Sequence, residues 1–348
     1  MSHVYLDWNA TAPLRPEARA AMAEALDVTG NPSSVHAEGR AAKMLLERSR
    51  ETLAEALGAA QADIVFTSGA TEAAALALEG QGLACAGIEH DAVRAWCAET
   101  LPVEPSGRVT VADPAGAALQ LANSETGVIQ DLPQGLAVSD LTQAFGKIPF
   151  AFDWLGVAAG FVSAHKLGGP RGVGALILRA GADRPARLRG GGQESGRRAG
   201  TENLAGIAGF AAAAVAAQRD LAVGMAEKLA EMRDRLAMRL EDHDGNTMLP
   251  GRDSPRLPQT LSILTPGWRG ETQVMQMDLA GFAVSAGSAC SSGKVRSSGV
   301  LRAMGVPEAD AGCALRVSFG ATTTPEELDR FAAAWLSARA RWQSKQGR

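Results

Sequence analysis

The architecture follows from nine residues, Ile64-Val65-Phe66-Thr67-Ser68-Gly69-Ala70-Thr71-Glu72. Ile64–Thr67 has the β-branched and aromatic composition of a strand, and the small residues after it predict a tight loop that leads into a helix from Glu72 to Glu79. A helix N-terminus at such a loop offers free backbone N–H groups and the positive end of the helix dipole, which together suit a phosphate. Small residues at a strand–helix turn also serve simple packing, so this motif alone leaves both interpretations open.

The same alternation of short apolar segments and helical periodicity continues along the chain. It predicts an α/β fold in which a mostly parallel sheet lies between helices on both faces. We expect helices from Pro16, from His36 to Leu57, and over one long stretch from Glu202 to Leu240. Further strands are predicted at Leu83–Ala86, Leu119–Ala122, Leu136–Ser139, Ala158–Val162 and Val173–Leu178. Residues 16–240 are therefore assigned to one large domain.

The rest of the chain predicts a smaller α+β domain, made of residues 241–348 together with residues 1–15. The N-terminal segment has the pattern of a short strand. The other elements are strands at Gln259–Leu264, Phe282–Ser285 and Leu315–Phe319, a helix near Glu271–Leu279 and a terminal helix from Pro325. We expect the first residues to complete this second domain.

Composition excludes several classes of protein. The 348 residues are 46% hydrophobic and 21% charged, which is ordinary globular usage, and the formal charge of −4 includes no long Lys/Arg run. Nucleic acid is therefore not expected as a partner. The longest uncharged apolar stretch, Leu204–Ala217, is shorter than the ~20 residues of a membrane span, so no membrane association is expected. Four cysteines without a CxxC pair favour a reducing cytoplasm, and the histidines show no metal-ligand spacing.

A second motif, Ser163-Ala164-His165-Lys166-Leu167-Gly168-Gly169-Pro170, places a lysine where an apolar strand gives way to a Gly-rich turn. Lys166 by itself is most simply a solvated loop lysine, but a lysine in this position can also form a Schiff base with a carbonyl cofactor. Asp140 follows the strand predicted at Leu136–Ser139, and Gln143 comes shortly after it. An acid at a strand end beside a phosphate loop and a Schiff-base lysine is the constellation that pyridoxal phosphate requires.

With these residues in view, the chain resembles the class V aminotransferase-fold enzymes, and specifically cysteine desulfurases of the NifS/IscS type. The resemblance runs nearly from end to end and implies an aspartate aminotransferase-like fold that uses pyridoxal phosphate (PLP). The segments that carry it are Leu6–Pro13, Gly30–Ser34, Phe66–Glu72, Glu89-His90, Asn123–Gly127, His165-Lys166, Gly190–Glu194, Arg198–Asn203 and Ser285–Gly293.

The resemblance implies a role for each matching position. Lys166 would hold the cofactor, Asp140 would face its pyridine nitrogen, Gln143 its phenolic oxygen, and His90 would stack on the ring and move protons. The phosphate would be bound by Ala70, Thr71, Ser163 and His165, with Thr201 reaching the site of a neighbouring subunit in a homodimer. Arg316 would pair with the substrate carboxylate, with Asn31 assisting, and Ser124 stands where the family usually has an asparagine that contacts cofactor or substrate.

Cys290 is expected to be the catalytic nucleophile. It lies among Ser, Ala and Gly, with Lys294 and Arg296 nearby. A structural thiol usually lies among large apolar neighbours, whereas adjacent positive charge favours the reactive thiolate. The other cysteines, Cys85, Cys97 and Cys313, are expected to pack in the core. No catalytic metal is predicted, although Cys290 could serve as a transient ligand of an iron–sulfur cluster.

The function implied is conversion of L-cysteine to L-alanine, with sulfur passed to Cys290 as a persulfide. An iron–sulfur scaffold or another sulfur acceptor would then receive the sulfur. Two alternatives stay open at this point: another PLP-dependent activity on the same fold, such as selenocysteine lyase, another amino-acid lyase or an aminotransferase, and a non-catalytic assembly partner. The loop of small residues around Cys290 favours the desulfurase, and the joint presence of Lys166, Asp140 and His90 argues against a non-catalytic protein.

Overall fold

A computed structural model describes residues 3–241, 246–287 and 297–346. The strands are β1 (Val4–Tyr5), β2 (Ala62–Thr67), β3 (Ala84–Ala86), β4 (Ala98–Leu101), β5 (Val138–Asp140), β6 (Ala159–Ser163), β7 (Gly174–Arg179), β8 (Thr260–Leu264), β9 (Phe282–Ala283), β10 (Ser285–Ala286) and β11 (Ala314–Ser318). The helices are α1 (Pro16–Leu26), α2 (Ala37–Leu57), α3 (Ala70–Leu78), α4 (Asp91–Arg94), α5 (Phe152–Leu155), α6 (Leu204–Ala222), α7 (Met225–Leu240), α8 (Gly270–Leu279), α9 (Gly299–Ala303), α10 (Glu308–Ala311) and α11 (Pro325–Gln346).

The main sheet has the order β2-β7-β6-β5. β5 and β6 are parallel, and β7 runs antiparallel to both β6 and β2. Isolated parallel bridges at Ala118–Val138 and Ala84–Ala117 continue the sheet to the parallel pair β3-β4. β7 is therefore the one antiparallel strand in this described sheet, and the prediction of a mostly parallel α/β sheet is confirmed.

Both faces of the main sheet are covered by apolar side chains. One core, around Phe145, Phe152 and Phe210, joins the sheet to α2 and α6. A second core, around Phe161 and Leu176, joins the opposite face to α3. The strands of a sheet that is buried on both faces are hydrophobic at nearly every position. β6 and β7 have that composition.

A separate sheet of order β10-β11-β8 is antiparallel, and β1 pairs with β9 beside it. Its core contains Val4 and Leu6 from the chain start together with side chains of β8, α8 and α11. Leu229 and Leu236 of α7 belong to the same core. The sequence pattern instead predicts this helix in the large domain, residues 16–240. We therefore propose that the division between domains falls at Gly224 rather than after Leu240.

The helix predicted over Glu202–Leu240 is wrong in one respect, because it is two helices. α6 and α7 meet at 71°, and Gly224 between them has a φ of +82°, which glycine adopts readily. None of the helices in the described ranges is long and apolar enough to cross a membrane by itself. α6 and α7 meet the length and hydropathy requirement only when they are counted together, across that bend.

Three predicted strands differ in detail. Leu119–Ala122 forms no strand, since only isolated bridges occur at Ala118 and Ala122. The strand predicted at Leu136–Ser139 is β5, so Asp140 is its last residue. Phe282–Ser285 is divided between β9 and β10, which pair with different neighbours.

Candidate active site

A cavity of about 640 Å³ lies where the carboxyl ends of β5 and β6 meet the N-terminus of α3. Parallel strands bring their carboxyl ends to one edge of a sheet, which is where ligands bind in α/β folds. Most residues singled out from the sequence line this cavity. They are Ala70, Thr71, His90, Ser124, Asp140, Gln143, Ser163, His165, Lys166 and Arg316.

The loop Ser68-Gly69, for which the sequence predicts phosphate binding and which is called the phosphate loop below, lies at one end of the cavity, against β7. A Cβ on Gly174 would lie only 2.7 Å from the backbone of Gly69, so the loop packs directly on that strand. Glu72 accepts a hydrogen bond from the Ser68 N–H at 2.7 Å and pairs with Arg198 at 2.8 Å. Burial acts to raise the pKa of Glu72, but these hydrogen bonds leave that pKa below its usual range. The carboxylate thus fixes the entry into α3.

The Lys166 amine lies in the short turn after β6. Its Nζ donates hydrogen bonds to the backbone oxygens of Asn9 at 2.8 Å and Ala10 at 2.9 Å. Asn9 is buried, and its side chain donates to the Ser124 carbonyl at 3.1 Å and to Thr260 Oγ1 at 2.8 Å. The chain start therefore forms the wall against which Lys166 is held.

Asp140 and His90 occupy the side of the cavity formed by β5 and α4. Asp140 Oδ1 accepts a hydrogen bond from the Thr142 N–H at 2.8 Å. Burial raises the pKa of Asp140, and its bonds to Thr142 and the charges of His90 and Lys166 offset only part of that rise. His90 caps α4, and its Nδ1 accepts from the Ala92 N–H at 3.1 Å. The neutral ring therefore carries its hydrogen on Nε2.

His165 follows Ser163 at the end of β6. The pKa of His165 is lowered to about 4, first by burial and then by the positive charges of Lys166, Arg171 and Lys147. The ring is consequently neutral near pH 7. A neutral imidazole can donate one hydrogen bond and accept another.

Arg316 enters the cavity from β11 of the smaller sheet and is only 2% exposed. Its guanidinium pairs with Asp7 at 2.7 Å and donates to the Ser124 carbonyl at 3.2 Å. Arg316 Nε has no hydrogen-bond partner in the described ranges. A planar guanidinium with a donor to spare is suited to a carboxylate.

Two predicted residues do not line this cavity, and a third cannot be placed in it. Thr201 is exposed and lines a smaller groove behind Ser68. Asn31 is also exposed, and its side chain accepts a hydrogen bond from the Ser33 N–H at 2.9 Å. Cys290 lies outside the described residues.

The sequence reasoning missed several groups that surround the site. Asn9, Gln120 and Asp7 are in contact with the residues above, and Asn9 lies within the quoted segment Leu6–Pro13, which could have marked it. Glu89 is buried behind His90, and burial holds its pKa well above the usual range. Lys147 also approaches the site, four residues after Gln143, but no motif signalled it.

The residues present fit PLP. The Lys166 amine, held by the backbone oxygens of Asn9 and Ala10, lies in the cavity lining. The buried His165 Nδ1 and Thr142 Oγ1 have no hydrogen-bond partner among the described residues, and both side chains line the cavity. Buried polar atoms of this kind normally have a partner, so they mark positions for a polar ligand. The first turn of α3 adds N–H donors for a phosphate.

Comparison with known proteins agrees with this geometry. The class-V aminotransferase family model matches residues 4–93 and 110–331. A "Cysteine desulfurase IscS" of Dictyoglomus turgidum is 36% identical, with 94% of this chain and 92% of that protein aligned. A "Cysteine desulfurase" of Frankia is 39% identical over 93% of this chain and 88% of that protein.

A solved structure of a NifS-like protein from Rickettsia africae superposes with a TM-score of 0.86 at 30% identity. The superposition covers 96% of this chain and 98% of that one. Fold and sequence similarity therefore extend together over nearly the whole molecule. The chain belongs to the class-V aminotransferase family of PLP-dependent enzymes and is a relative of the cysteine desulfurases.

Proposed function

We propose that this chain is a cysteine desulfurase that converts L-cysteine to L-alanine and receives the sulfur on Cys290. The observation that carries the proposal is the meeting of Lys166, Asp140, His90 and Arg316 in one cavity of about 640 Å³. The cavity combines an amine for a carbonyl cofactor, an acid, a proton carrier and a carboxylate partner. These are the parts needed to bind an amino acid and labilise its Cα hydrogen.

PLP would be held by residues from several elements. Lys166 would bind its carbonyl carbon, Asp140 would hold a proton at the pyridine nitrogen, and Ser163 with the first turn of α3 would bind the phosphate. His165 would add a hydrogen bond there, since its ring is neutral near pH 7. When bound, PLP supplies an electron sink that makes the Cα hydrogen of an amino acid acidic.

Arg316 and Lys166 would act on the substrate itself. Arg316 would bind the carboxylate, and its bonds to Asp7 and the Ser124 carbonyl hold the guanidinium in place. This orients Cα toward Lys166, whose amine is then the base that removes the Cα proton. His90, which lines the cavity, would return protons from its Nε2.

The sulfur step is assigned to Cys290 from the sequence. Its thiolate would attack the substrate sulfur, so that an S–S bond forms while the Cβ–S bond of cysteine breaks. L-cysteine and one thiol give L-alanine and one persulfide, and the atoms balance without an added oxidant. The flanking Lys294 and Arg296 favour the thiolate form.

The test compares the wild type with Cys290→Ala. The purified wild type should be yellow and should form alanine and sulfide in equal amounts from L-cysteine and a reducing thiol. Cys290→Ala should keep the visible absorbance but lose at least about 99% of alanine formation, because losing a covalent nucleophile costs orders of magnitude in rate. Mass spectrometry of the wild type without the thiol should find one added sulfur on Cys290.

Cys313→Ala is the matched control, since this buried cysteine lies outside the cavity and should be dispensable for turnover. Equal activity in Cys290→Ala would contradict the nucleophile. A yellow wild type that does not react with cysteine but cleaves selenocysteine or another amino acid would contradict the proposed substrate. A protein that does not bind PLP would contradict the proposed enzymatic activity as a whole.

We further infer a cytoplasmic homodimer that hands its sulfur to an acceptor such as an iron–sulfur scaffold protein. Thr201 supports the dimer, because it is exposed and lies outside its own cavity. Cys85, Cys97 and Cys313 are free thiols, which fits a reducing compartment. The persulfide on Cys290 would be the species that the acceptor attacks.

A further inference from the structure

Lys147 is a cation placed next to the cofactor cavity that the mechanism above does not use. It lies four residues after Gln143, and its Nζ donates a hydrogen bond to Gln143 Oε1. A second, longer contact of 3.4 Å joins Nζ to Asn9 Oδ1. Lys147 thus contacts the same two residues, Asn9 and Gln143, that hold the wall of the site.

These contacts fix which way the Gln143 amide points. Gln143 is 7% exposed, and its Nε2 donates to the Asn9 backbone oxygen at 3.0 Å. The Asn9 backbone oxygen can only accept, so Nε2 must face Asn9 and Oε1 must face Lys147, whose Nζ donates in either protonation state. The second N–H of Nε2 is then available toward the cavity that Gln143 lines.

The surroundings of Lys147 argue against a purely structural role. In the described ranges its Nζ bonds to the amide oxygens of Gln143 and Asn9, and burial together with the charges of Lys166 and Arg316 lowers its pKa well below the usual range. Desolvation of a lysine amine among other cations disfavours its charged form and costs the folded chain stability. Residues that cost stability in this way concentrate at functional sites.

We propose that Lys147 is a positioning residue, which orients Gln143 so that its amide donates a hydrogen bond to the phenolic oxygen of bound PLP. This inference rests on the proposed function only as far as PLP binding. The donor would stabilise the anionic form of that oxygen. Lys147 itself touches neither cofactor nor substrate in this proposal.

The test is a double-mutant cycle on cofactor binding, with Lys147→Met, Gln143→Ala and the double variant. Lys147→Met should weaken PLP binding about tenfold, the equivalent of one hydrogen bond. It should also raise the pH midpoint of the visible absorbance by about one unit, because the phenolic oxygen then keeps its proton more tightly. The double variant should bind PLP no more weakly than Gln143→Ala.

Unfolding of the cofactor-free proteins separates positioning from structural support. Lys147→Met should melt at or above the wild-type temperature, because the substitution removes a desolvated amine and keeps most of the length of the side chain. Lys228→Met, on the exposed side of α7, is the control for the loss of one positive charge and should change neither PLP binding nor the absorbance.

Unchanged PLP affinity and absorbance in Lys147→Met would overturn the inference. So would additive losses in the double variant, about a hundredfold in total, because Lys147 would then act independently of Gln143. A lowered melting temperature of the cofactor-free variant would assign Lys147 a structural role instead. None of these readouts uses L-cysteine, so failure of the proposed substrate leaves them interpretable, whereas a wild type without PLP affinity contradicts the proposed function.

Discussion

Glu125 is a partly buried carboxyl one residue after Ser124 of the cavity lining. Its Oε2 accepts a hydrogen bond from Ser298 Oγ at 2.5 Å, and a Cβ on Gly287 would lie 3.1 Å from the same oxygen. Burial raises the pKa of Glu125 to about 7, despite the opposing effects of the Ser298 hydrogen bond and the Arg316 charge. The folded protein therefore holds a proton on Glu125 that an unfolded chain releases near pH 4.5.

This raised pKa predicts how stability depends on pH. Between pH 4.5 and about 7 the folded state binds the proton and the unfolded state does not, so stability falls as the pH rises through this window. Relative to Glu125→Gln, the wild type should lose up to about 3 kcal/mol of unfolding free energy between pH 5 and pH 8. Urea unfolding of both proteins at the two pH values measures the difference. Parallel pH profiles would show that Glu125 titrates normally.

Individual site residues could be predicted from the sequence where a chemical type coincides with a strand end. Lys166 and Asp140 were found in this way, because a lysine alone is most simply a loop residue, whereas a lysine and an acid after neighbouring apolar strands, beside a loop of small residues, form a combination typical of a PLP site. Asn9 was not singled out, since its contact with Lys166 joins distant parts of the chain. Lys147 was not singled out either, because its contact with the nearby Gln143 matters only through the place of Gln143 in the cavity. A single sequence does not encode such pairings in any local pattern.

The phosphate loop and β7 make a testable contact between elements. In Gly174→Ala the new Cβ would meet the Gly69 backbone and the Val162 oxygen at 2.7 Å, and neither can move aside as a flexible side chain could. We expect a loss of about 1–3 kcal/mol of stability from overpacking, together with weaker PLP binding, as the loop is displaced. Gly312→Ala, where a Cβ meets nothing within 4 Å, should change stability by less than about 0.5 kcal/mol.

Calorimetry and PLP titration of both glycine variants would check this. If Gly174→Ala binds PLP as tightly as the wild type, the loop geometry does not depend on its packing against β7. A loss of PLP affinity without any loss of stability would place the strain in the loop alone.

The helices and strands themselves were largely predictable, because their periodicities are local. α1 begins at Pro16 and α2 ends at Leu57, as expected. The errors occurred where tertiary pairing or one backbone angle decides the outcome. Residues 119–122 form no strand, because only isolated bridges occur at Ala118 and Ala122. Gly224 bends the chain between two segments that both have a helical composition.

The whole molecule is expected to be a homodimer in which Thr201 serves the partner's cavity. Co-expression of Lys166→Ala with Thr201→Ala chains tests this, since a mixed dimer would then contain one site with both defects and one intact site. If Thr201 contributes one hydrogen bond to the phosphate, Thr201→Ala homodimers should bind PLP about tenfold more weakly. Mixed dimers, isolated by two affinity tags, should fill half of their sites at wild-type affinity.

The alternative gives a different result. If Thr201 acts on its own cavity, both sites of the mixed dimer are defective and no site binds at wild-type affinity. Size-exclusion chromatography with light scattering of the wild type should find twice the chain mass of 36.0 kDa, and a monomer would contradict the shared site.

The pairing of Asp7 with Arg316 joins residues 309 positions apart, and β1 pairs with β9 beside it. At a synthesis rate of ~5–20 residues per second, roughly 15–60 seconds separate the appearance of these two partners at the ribosome. During that interval Val4 and Leu6 lack the β8 and β11 side chains of their core, whereas β5–β7 are complete as soon as Arg179 has been made. A nascent chain thus completes the strands next to Asp140 and Lys166 before it makes the strand that carries Arg316. We expect chaperones to bind the apolar N-terminal segment in the meantime.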